Sequence, residues 1–308
     1  MHGIARDALG CYDLEIARLK CIARDTNTTF RVDTGGGHTF ALRVGAPGVD
    51  TDVDTPTELA WLDALADESL ITAAHPHRNR SGELVTRVEH PGVPFERKCV
   101  LFDWLAGRPI GDAADRDDYR MLGELAARLH DHGEAWQQPS NLNPLVWDRV
   151  FYYPTEPVVL FDKAYRHLMT PERTEVVRAV EAKCAAELSR IHRELPVSIL
   201  HGDLHPWNVM RQRNRLVVFD FEDLMIGGAV QDIATTLFYN RNHEDYAGLR
   251  AAFQHGYVEV RPWPVEYDGQ LELLMAARTV MFINYVLRLD LDPDEYIPMA
   301  TERISRVL

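Results

Sequence analysis

Paired cysteines, a glycine-rich nucleotide loop, a long apolar run and an excess of positive charge are all missing from this chain of 308 residues. Its four cysteines, at positions 11, 21, 99 and 184, form no short-spaced pair, which excludes a zinc ribbon and a dithiol redox motif and points to a reducing compartment. No segment approaches the roughly 20 apolar residues that span a bilayer, and the first thirty residues lack a signal-peptide core. A cytoplasmic location and no membrane partner are therefore expected. Lys and Arg number 33 against 47 Asp and Glu, a formal net charge of -14, which argues against binding nucleic acid or anionic lipid. The same charge is compatible with a cationic substrate, and equally with an ordinary acidic globular protein. There is no G-x-x-x-x-G-K-[ST] and no G-x-G-x-x-G, so neither a Walker-type nor a Rossmann-type phosphate cradle is available.

What is present is His201-Gly202-Asp203-Leu204-His205-Pro206-Trp207-Asn208, followed a short hairpin later by Val217-Val218-Phe219-Asp220-Phe221-Glu222. Moving the γ-phosphoryl of ATP requires an acceptor hydroxyl held in line and a metal ion that neutralises charge on the phosphate oxygens. Asp203 fits the first need, as a carboxylate that positions the hydroxyl and accepts its proton. Asn208 and Asp220 fit the second, because Mg2+ takes hard oxygen ligands and usually only one or two from protein. Each residue alone is an ordinary turn, cap or strand-end residue, and it is the joint spacing that points to chemistry. A competing reading makes His201, Asp203 and His205 a zinc or transition-metal chelate, but it offers no fourth ligand and leaves Asn208 and Asp220 unexplained.

His201 to Asn208, Asp220 and the later Gln231-Asp232-Ile233-Ala234 resemble the signature of the aminoglycoside phosphotransferase and choline kinase superfamily, specifically over about residues 198 to 240. The resemblance implies an α+β, two-lobed protein-kinase-like fold that uses ATP and Mg2+. Residues 1–102 would form a small antiparallel-sheet lobe with one main helix, 103–107 a hinge, and 108–308 a larger, mostly helical lobe. It implies a small-molecule hydroxyl as phosphate acceptor, such as an aminoglycoside, an amino alcohol, homoserine or a sugar. A Ser/Thr protein kinase of the bacterial stress-response type and a non-catalytic nucleotide-binding module are the alternatives.

By the same resemblance, Arg43 at the end of the third strand stands where protein kinases carry a phosphate-binding lysine, and an arginine fork can serve phosphate bidentately. Glu58 is its candidate partner. Thr55-Pro56-Thr57-Glu58 is also a good helix start, in which Glu58 would instead close a capping box on Thr55. The polar run Thr26 to Thr29, with Thr28 as a donor, would cover the phosphates. The Asp103 carbonyl and the Leu105 backbone would meet the adenine edge, with Phe102 behind them; the bland alternative is an edge strand running into a turn. Asp232 and His201 would brace the catalytic loop. His205, Glu222 and Asp223 are candidate substrate contacts, the two acids being suited to an ammonium group. Glu222 stands where protein kinases have glycine, which disfavours backbone flipping of an activation loop.

Periodicity predicts a short helix over Ile4–Tyr12 and strands over Glu15–Arg24, Thr29–Thr34 and His38–Val44, the last two joined by a turn at Gly35-Gly36-Gly37. A helix over Glu58–Leu65 and strands over Leu84–Val88 and Lys98–Phe102 follow. The larger part should begin with a helix carrying Tyr119, Leu122, Leu125, Ala126 and Leu129 and closing at Leu129-His130. Further helices are expected at about 171–193, 230–240, 246–258, 270–289 and 294–306. Their aromatic and methionine positions, among them Phe238, Tyr239 and Phe282, read as core.

Overall fold

The computed structural model describes residues 1–24, 27–46, 54–66, 68 and 70–308. The chain runs α1 (His2–Leu9), β1 (Ile16–Arg24), β2 (Thr28–Thr34), β3 (Thr39–Val44), α2 (Asp54–Leu65), β4 (Pro76–His77), β5 (Thr86–Val88), β6 (Arg97–Asp103) and β7 (Arg108–Pro109). It continues with α3 (Arg116–Ala135), β8 (Leu145–Val146), α4 (Pro171–Glu194), β9 (Ser198–Leu200), β10 (Val209–Gln212), β11 (Arg215–Val218) and β12 (Met225–Gly227). Four helices close it: α5 (Ala229–Tyr239), α6 (Tyr246–Val258), α7 (Gln270–Leu289) and α8 (Pro293–Ser305). Two compact units result, Met1–Arg108 with Met210–Phe219, and Pro109–Val209 with Asp220–Leu308. The hairpin β10–β11, expected with residues 108–308, groups with the first unit. There the Val218 amide donates to the Thr72 carbonyl at 2.9 Å and the Gln212 side chain to the Ala106 carbonyl at 3.1 Å.

The first unit is an antiparallel sheet in the order β1-β2-β3-β6-β4, with β5 also paired to β6. Strand β2 alternates as a half-buried strand should: Thr28, Phe30, Val32 and Thr34 are buried and the residues between them are less so. Phe30 pairs with Leu42, which in turn pairs with Leu101, so one apolar row crosses three strands. Helix α1 packs Ile4, Ala5, Ala8 and Leu9 into the same core. Burying side chains of this size contributes about 1.5–3 kcal/mol each, so Phe30→Ala would cost about 3–5 kcal/mol. In the β2–β3 turn, Gly37 adopts φ 82°, the left-handed conformation that the three-glycine run makes accessible. Strand β5 is shorter than the expected Leu84–Val88, and α2 begins at Asp54, so its cap falls outside the described residues, as does Thr26.

The second unit is built on helices. Asp115 and Asp118 form a reciprocal capping box at the start of α3, and Thr170 with Pro171 starts α4. Helix α3 does not close at Leu129-His130 but runs to Ala135, because its buried stripe continues through His130 and Gly133. Helices α3 and α6 approach at two glycines: a Cβ on Gly123 would strike the Phe253 carbonyl, and one on Gly256 the Arg120 carbonyl. The later helices lie within a residue or two of their expected bounds. A small sheet places β12 beside β9, antiparallel, with Met225 opposite Leu200. That pairing sets the segment leaving β9 at His201 next to the turn that enters β12 after Asp220. Among the described residues no helix is long and apolar enough to cross a membrane.

Candidate active site

In the first unit, Arg43 near the end of β3 donates from Nη1 to Glu58 Oε1 at 2.8 Å and from Nη2 to Oε2 at 2.5 Å. This fork-to-fork pair is nearly closed to solvent on the glutamate side, with the Glu58 side chain 3 % exposed. Glu58 is thus engaged by Arg43. The Arg43 guanidinium also lies 5.0 Å from the centre of the buried Phe102 ring, a cation–π approach. Thr28 opens β2 opposite Val44 and is buried. Asp103 ends β6; its amide donates to the His75 carbonyl at 2.9 Å, and its carboxylate lies 2.7 Å from His77 Nε2. The half-buried Leu105 has no hydrogen bond to its amide among the described residues, which leaves a main-chain donor of the kind a purine edge takes.

In the second unit the octapeptide forms a braced loop. Gly202 adopts φ 79°, and a Cβ there would collide with the Asp223 carbonyl, so the loop can pass beside the Phe221–Leu224 turn only with glycine at this position. Asp232, in the first turn of α5, accepts the Gly202 amide on Oδ1 at 3.0 Å. Its Oδ2 lies 3.2 Å from Nε2 of buried His130, whose Nδ1 lies 2.9 Å from the Tyr257 hydroxyl. A chain from α6 through α3 to α5 therefore ends on the loop backbone. His201 is wholly buried, accepts the Asp203 amide on Nδ1 at 3.3 Å and packs its ring on Phe221 at 4.6 Å.

Asp203 is the centre of the second unit's polar cluster. Its Oδ1 accepts the Tyr239 hydroxyl at 2.8 Å and also pairs with Arg278 Nη2, which reaches the same hydroxyl at 2.8 Å. Its Oδ2 lies 3.2 Å from His205 Nε2. His205 Nδ1 accepts the Trp207 amide at 3.2 Å, which assigns the proton to Nε2 and makes that nitrogen the donor to Asp203. His205, expected at the substrate, thus uses both ring nitrogens inside the loop. Burial alone would raise the Asp203 pKa, but His205 and Arg278, with Tyr239, outweigh it and hold the carboxyl below the usual carboxylate range. The Arg278 guanidinium is held protonated by Asp203 against the opposing effect of its own burial.

Asp223 goes the other way. Burial and the neighbouring Asp203 charge raise its pKa, partly opposed by the hydrogen bond that Tyr153 donates to it. Glu222 sits beside it in the same turn and is half-buried. Asn208 is buried and donates its amide nitrogen to the Asp203 carbonyl at 3.0 Å, which orients the side chain and leaves its oxygen to face elsewhere. Asp220 is exposed and adopts φ 65°, a conformation that a non-glycine residue holds only at a cost of order 1 kcal/mol. An amide oxygen and a carboxylate are the hard donor pair that Mg2+ accepts, so these two residues fit that ion. Among the described residues, no three His, Cys, Asp or Glu side chains converge as a transition-metal site would need. No local motif marks Arg278, Tyr239, Tyr153 or His130 as members of the cluster. The available signal was Arg278 itself, the lone charge in the apolar run from Leu273 to Ile283.

The sequence matches the phosphotransferase enzyme family over residues 22–267. The chain belongs to that family. This phosphotransferase has the protein-kinase-like fold and, as a family member of the small-molecule kinase type, acts on an alcohol group. It is 28% identical over 287 residues to a homoserine kinase of Beijerinckia indica, covering 89% of this chain and 81% of that one. It is 24% identical over 277 residues to the uncharacterised protein sll1119 of Synechocystis sp., covering 89% and 74%. Among solved structures it resembles the amicoumacin kinase hAmiN (TM-score 0.79, 15% identity, 98% of this chain and 92% of that one). It also resembles a microcompartment-associated aminopropanol kinase (TM-score 0.74, 20% identity, 100% and 95%). At these identities the structural likeness concerns the fold of the phosphotransferase.

Proposed function

We propose that the protein transfers the γ-phosphoryl group of ATP to a hydroxyl of a small molecule, with Asp203 positioning that hydroxyl. The observation that carries the proposal is the filling of the Asp203 oxygens. Each carboxylate oxygen has two acceptor sites. Among the described residues Oδ1 is taken by Tyr239 and Arg278, while Oδ2 is taken once, by His205, and keeps one site for an incoming hydroxyl. In the transfer the bond from Pγ to the ADP oxygen breaks, the acceptor oxygen bonds to Pγ, and the hydroxyl proton passes to Asp203 and on to solvent. ADP and a phosphate monoester leave. A carboxylate held below its usual range is a weak base, so orientation contributes more here than proton abstraction.

Asn208 and Asp220 would hold Mg2+, which when bound offsets charge on the phosphate oxygens. Arg43, aimed by Glu58 and backed by Phe102, would meet the α- and β-phosphates. Thr28, the Asp103 carbonyl and the Leu105 amide would complete nucleotide binding. Asp232, with His201, would hold the loop that carries Asp203. Glu222 and Asp223 border the place of the acceptor.

The direct test is Asp203→Asn, assayed by coupled ADP release over a panel of aminoglycosides, amino alcohols, homoserine and sugars, with calorimetric ATP binding in parallel. We expect transfer to fall by about three orders of magnitude while ATP affinity stays within about twofold. Unchanged turnover on an acceptor that the wild-type protein phosphorylates would overturn the assignment.

A further inference from the structure

Three arginines gather where α5 ends, with one carboxylate among them. Arg241 donates from Nη1 to the Phe238 carbonyl at 2.6 Å, and its guanidinium carbon stands 3.6 Å from the centre of the Phe238 ring. Arg278 of α7 lies 5.7 Å from the same ring and holds Asp203. Arg303 of α8 donates to the Asn242 side-chain oxygen at 2.8 Å. Among the described residues neither Arg241 nor Arg303 forms an ion pair with a carboxylate. Of the acids on neighbouring helices, Glu272 pairs with Arg250 at 2.5 Å through Oε1, its Oε2 being buried without a hydrogen-bond partner among the described residues, and Asp245 pairs with Arg116 at 2.6 Å.

The hydrogen-bonding capacity is also unfilled. Among the described residues Arg241 Nε, Arg278 Nε and Arg303 Nη1 are buried without a hydrogen-bond partner, although guanidinium N–H groups are costly to bury unpaired. Burial and the neighbouring Arg303 charge bring the Arg241 pKa down to about 10, which still leaves it protonated at neutral pH. A protonated guanidinium facing others in a poorly solvated place lacks only a counter-charge.

We infer that Arg241, flanked by Arg303 and Arg278, receives an anionic group, a carboxylate or a phosphate, carried by the same alcohol whose hydroxyl meets Asp203. The inference deepens the phosphotransferase reading and rests on it. Arg278 links the two ends, because it bonds to Asp203 and lies within electrostatic reach of Arg241. It also reverses what the overall charge of -14 leads one to expect. The surplus acid is a property of the whole chain, whereas the charge gathered around Phe238 is positive. An acceptor with a cationic group at that point would be repelled.

The test uses four alcohols built on a four-carbon chain: 4-hydroxybutanoate, the monophosphate of butane-1,4-diol, butane-1,4-diol itself and 4-aminobutan-1-ol. With the full-length protein, ATP and Mg2+, at least one of the two anionic alcohols should show a kcat/KM about tenfold or more above the neutral and ammonium ones. Their ranking separates a carboxylate from a phosphate site. Arg241→Gln should raise the KM of the preferred anionic alcohol about tenfold, with kcat and the KM for ATP little changed, and Arg241→Lys should recover most of the loss. Binding of the anionic alcohols, followed by calorimetry without turnover, should weaken in step in Arg241→Gln and in Arg303→Gln. Preference for the neutral or ammonium alcohol, failure of both anionic alcohols to bind the wild-type protein, or binding that survives Arg241→Gln would each overturn the anion site. Binding that depends on Arg241 with no transfer to any alcohol would count against the kinase reading alone.

Discussion

Arg278, from the middle of α7, is ion-paired with Asp203 of the octapeptide loop, and both side chains are largely removed from solvent, with Arg278 6 % exposed and Asp203 17 %. The pair makes ionisation of a buried carboxylate favourable where burial alone would oppose it. Arg278→Met should therefore raise the Asp203 pKa toward and beyond the ordinary carboxylate value. The acid limb of the kcat/KM against pH profile should move to higher pH, and kcat at neutral pH should fall about a hundredfold. Arg278→Lys should restore the position of the limb but only part of kcat, since an ammonium cannot serve Tyr239 and Asp203 with the same geometry. A profile whose acid limb does not move in Arg278→Met would show that the pair does not set the charge of Asp203.

Asp223 carries the opposite balance, and stability should report it. Its folded-state pKa is raised by burial and by Asp203, so its contribution is most favourable at acid pH and is lost as pH rises through that raised value. Once ionised, Asp223 is a liability, because its burial and the Asp203 charge both disfavour the carboxylate form. Asp223→Asn keeps an oxygen for the Tyr153 hydroxyl and removes the like charge. It should stabilise the protein at pH 7 by on the order of 1 kcal/mol, with the gain shrinking toward pH 4. Urea denaturation at the two pH values measures this, and a gain that grows on acidification would have the wrong sign.

The chain Tyr257, His130, Asp232, Gly202 acts through hydrogen bonds, so its effect on rate should follow acceptor capacity rather than charge. Asp232→Asn retains an oxygen for the Gly202 amide, and kcat should fall about tenfold or less. Asp232→Ala leaves that amide buried without a partner, and kcat should fall about a hundredfold while the KM for ATP changes little. Equal losses in the two variants would indicate that the negative charge of Asp232, not its hold on the loop, is what matters.

Sequence separation decides which of these contacts the sequence reveals. The octapeptide and Asp220 are legible because their geometry is local: Asn208 lies five positions after Asp203, and one short hairpin leads to Asp220. Arg43 and Glu58 are legible because α2 follows β3 closely in the chain. Arg278 lies 75 residues from Asp203, and His130 lies 102 residues from Asp232, so no spacing rule joins them. Tyr239 illustrates the other difficulty. At helical spacing it reads as one more core aromatic, and its ring is packed against His205 and Phe238, but its hydroxyl belongs to Asp203. Apolar periodicity reports which face of a helix is buried and is silent on the single polar atom carried there.

The Arg43–Glu58 pair offers a way to separate support of the fold from nucleotide binding. Arg43→Met alone leaves the Glu58 carboxylate, 3 % exposed, without its fork, and such a loss costs about 3–5 kcal/mol. The double variant Arg43→Met with Glu58→Leu replaces the buried pair by apolar side chains of similar size and should recover most of that stability, because a desolvated ion pair gains little over good packing. It should not recover nucleotide affinity, since the cation is gone, and the KM for ATP should stay raised by tenfold or more in both variants. Arg43→Lys should fall between, keeping a charge but losing one arm of the fork and the contact with Phe102. Thermal and urea denaturation read the first effect and calorimetric titration with ATP the second. If the double variant regained both stability and ATP binding, Arg43 would be a structural residue only, and the nucleotide phosphates would have to be met by another part of the chain.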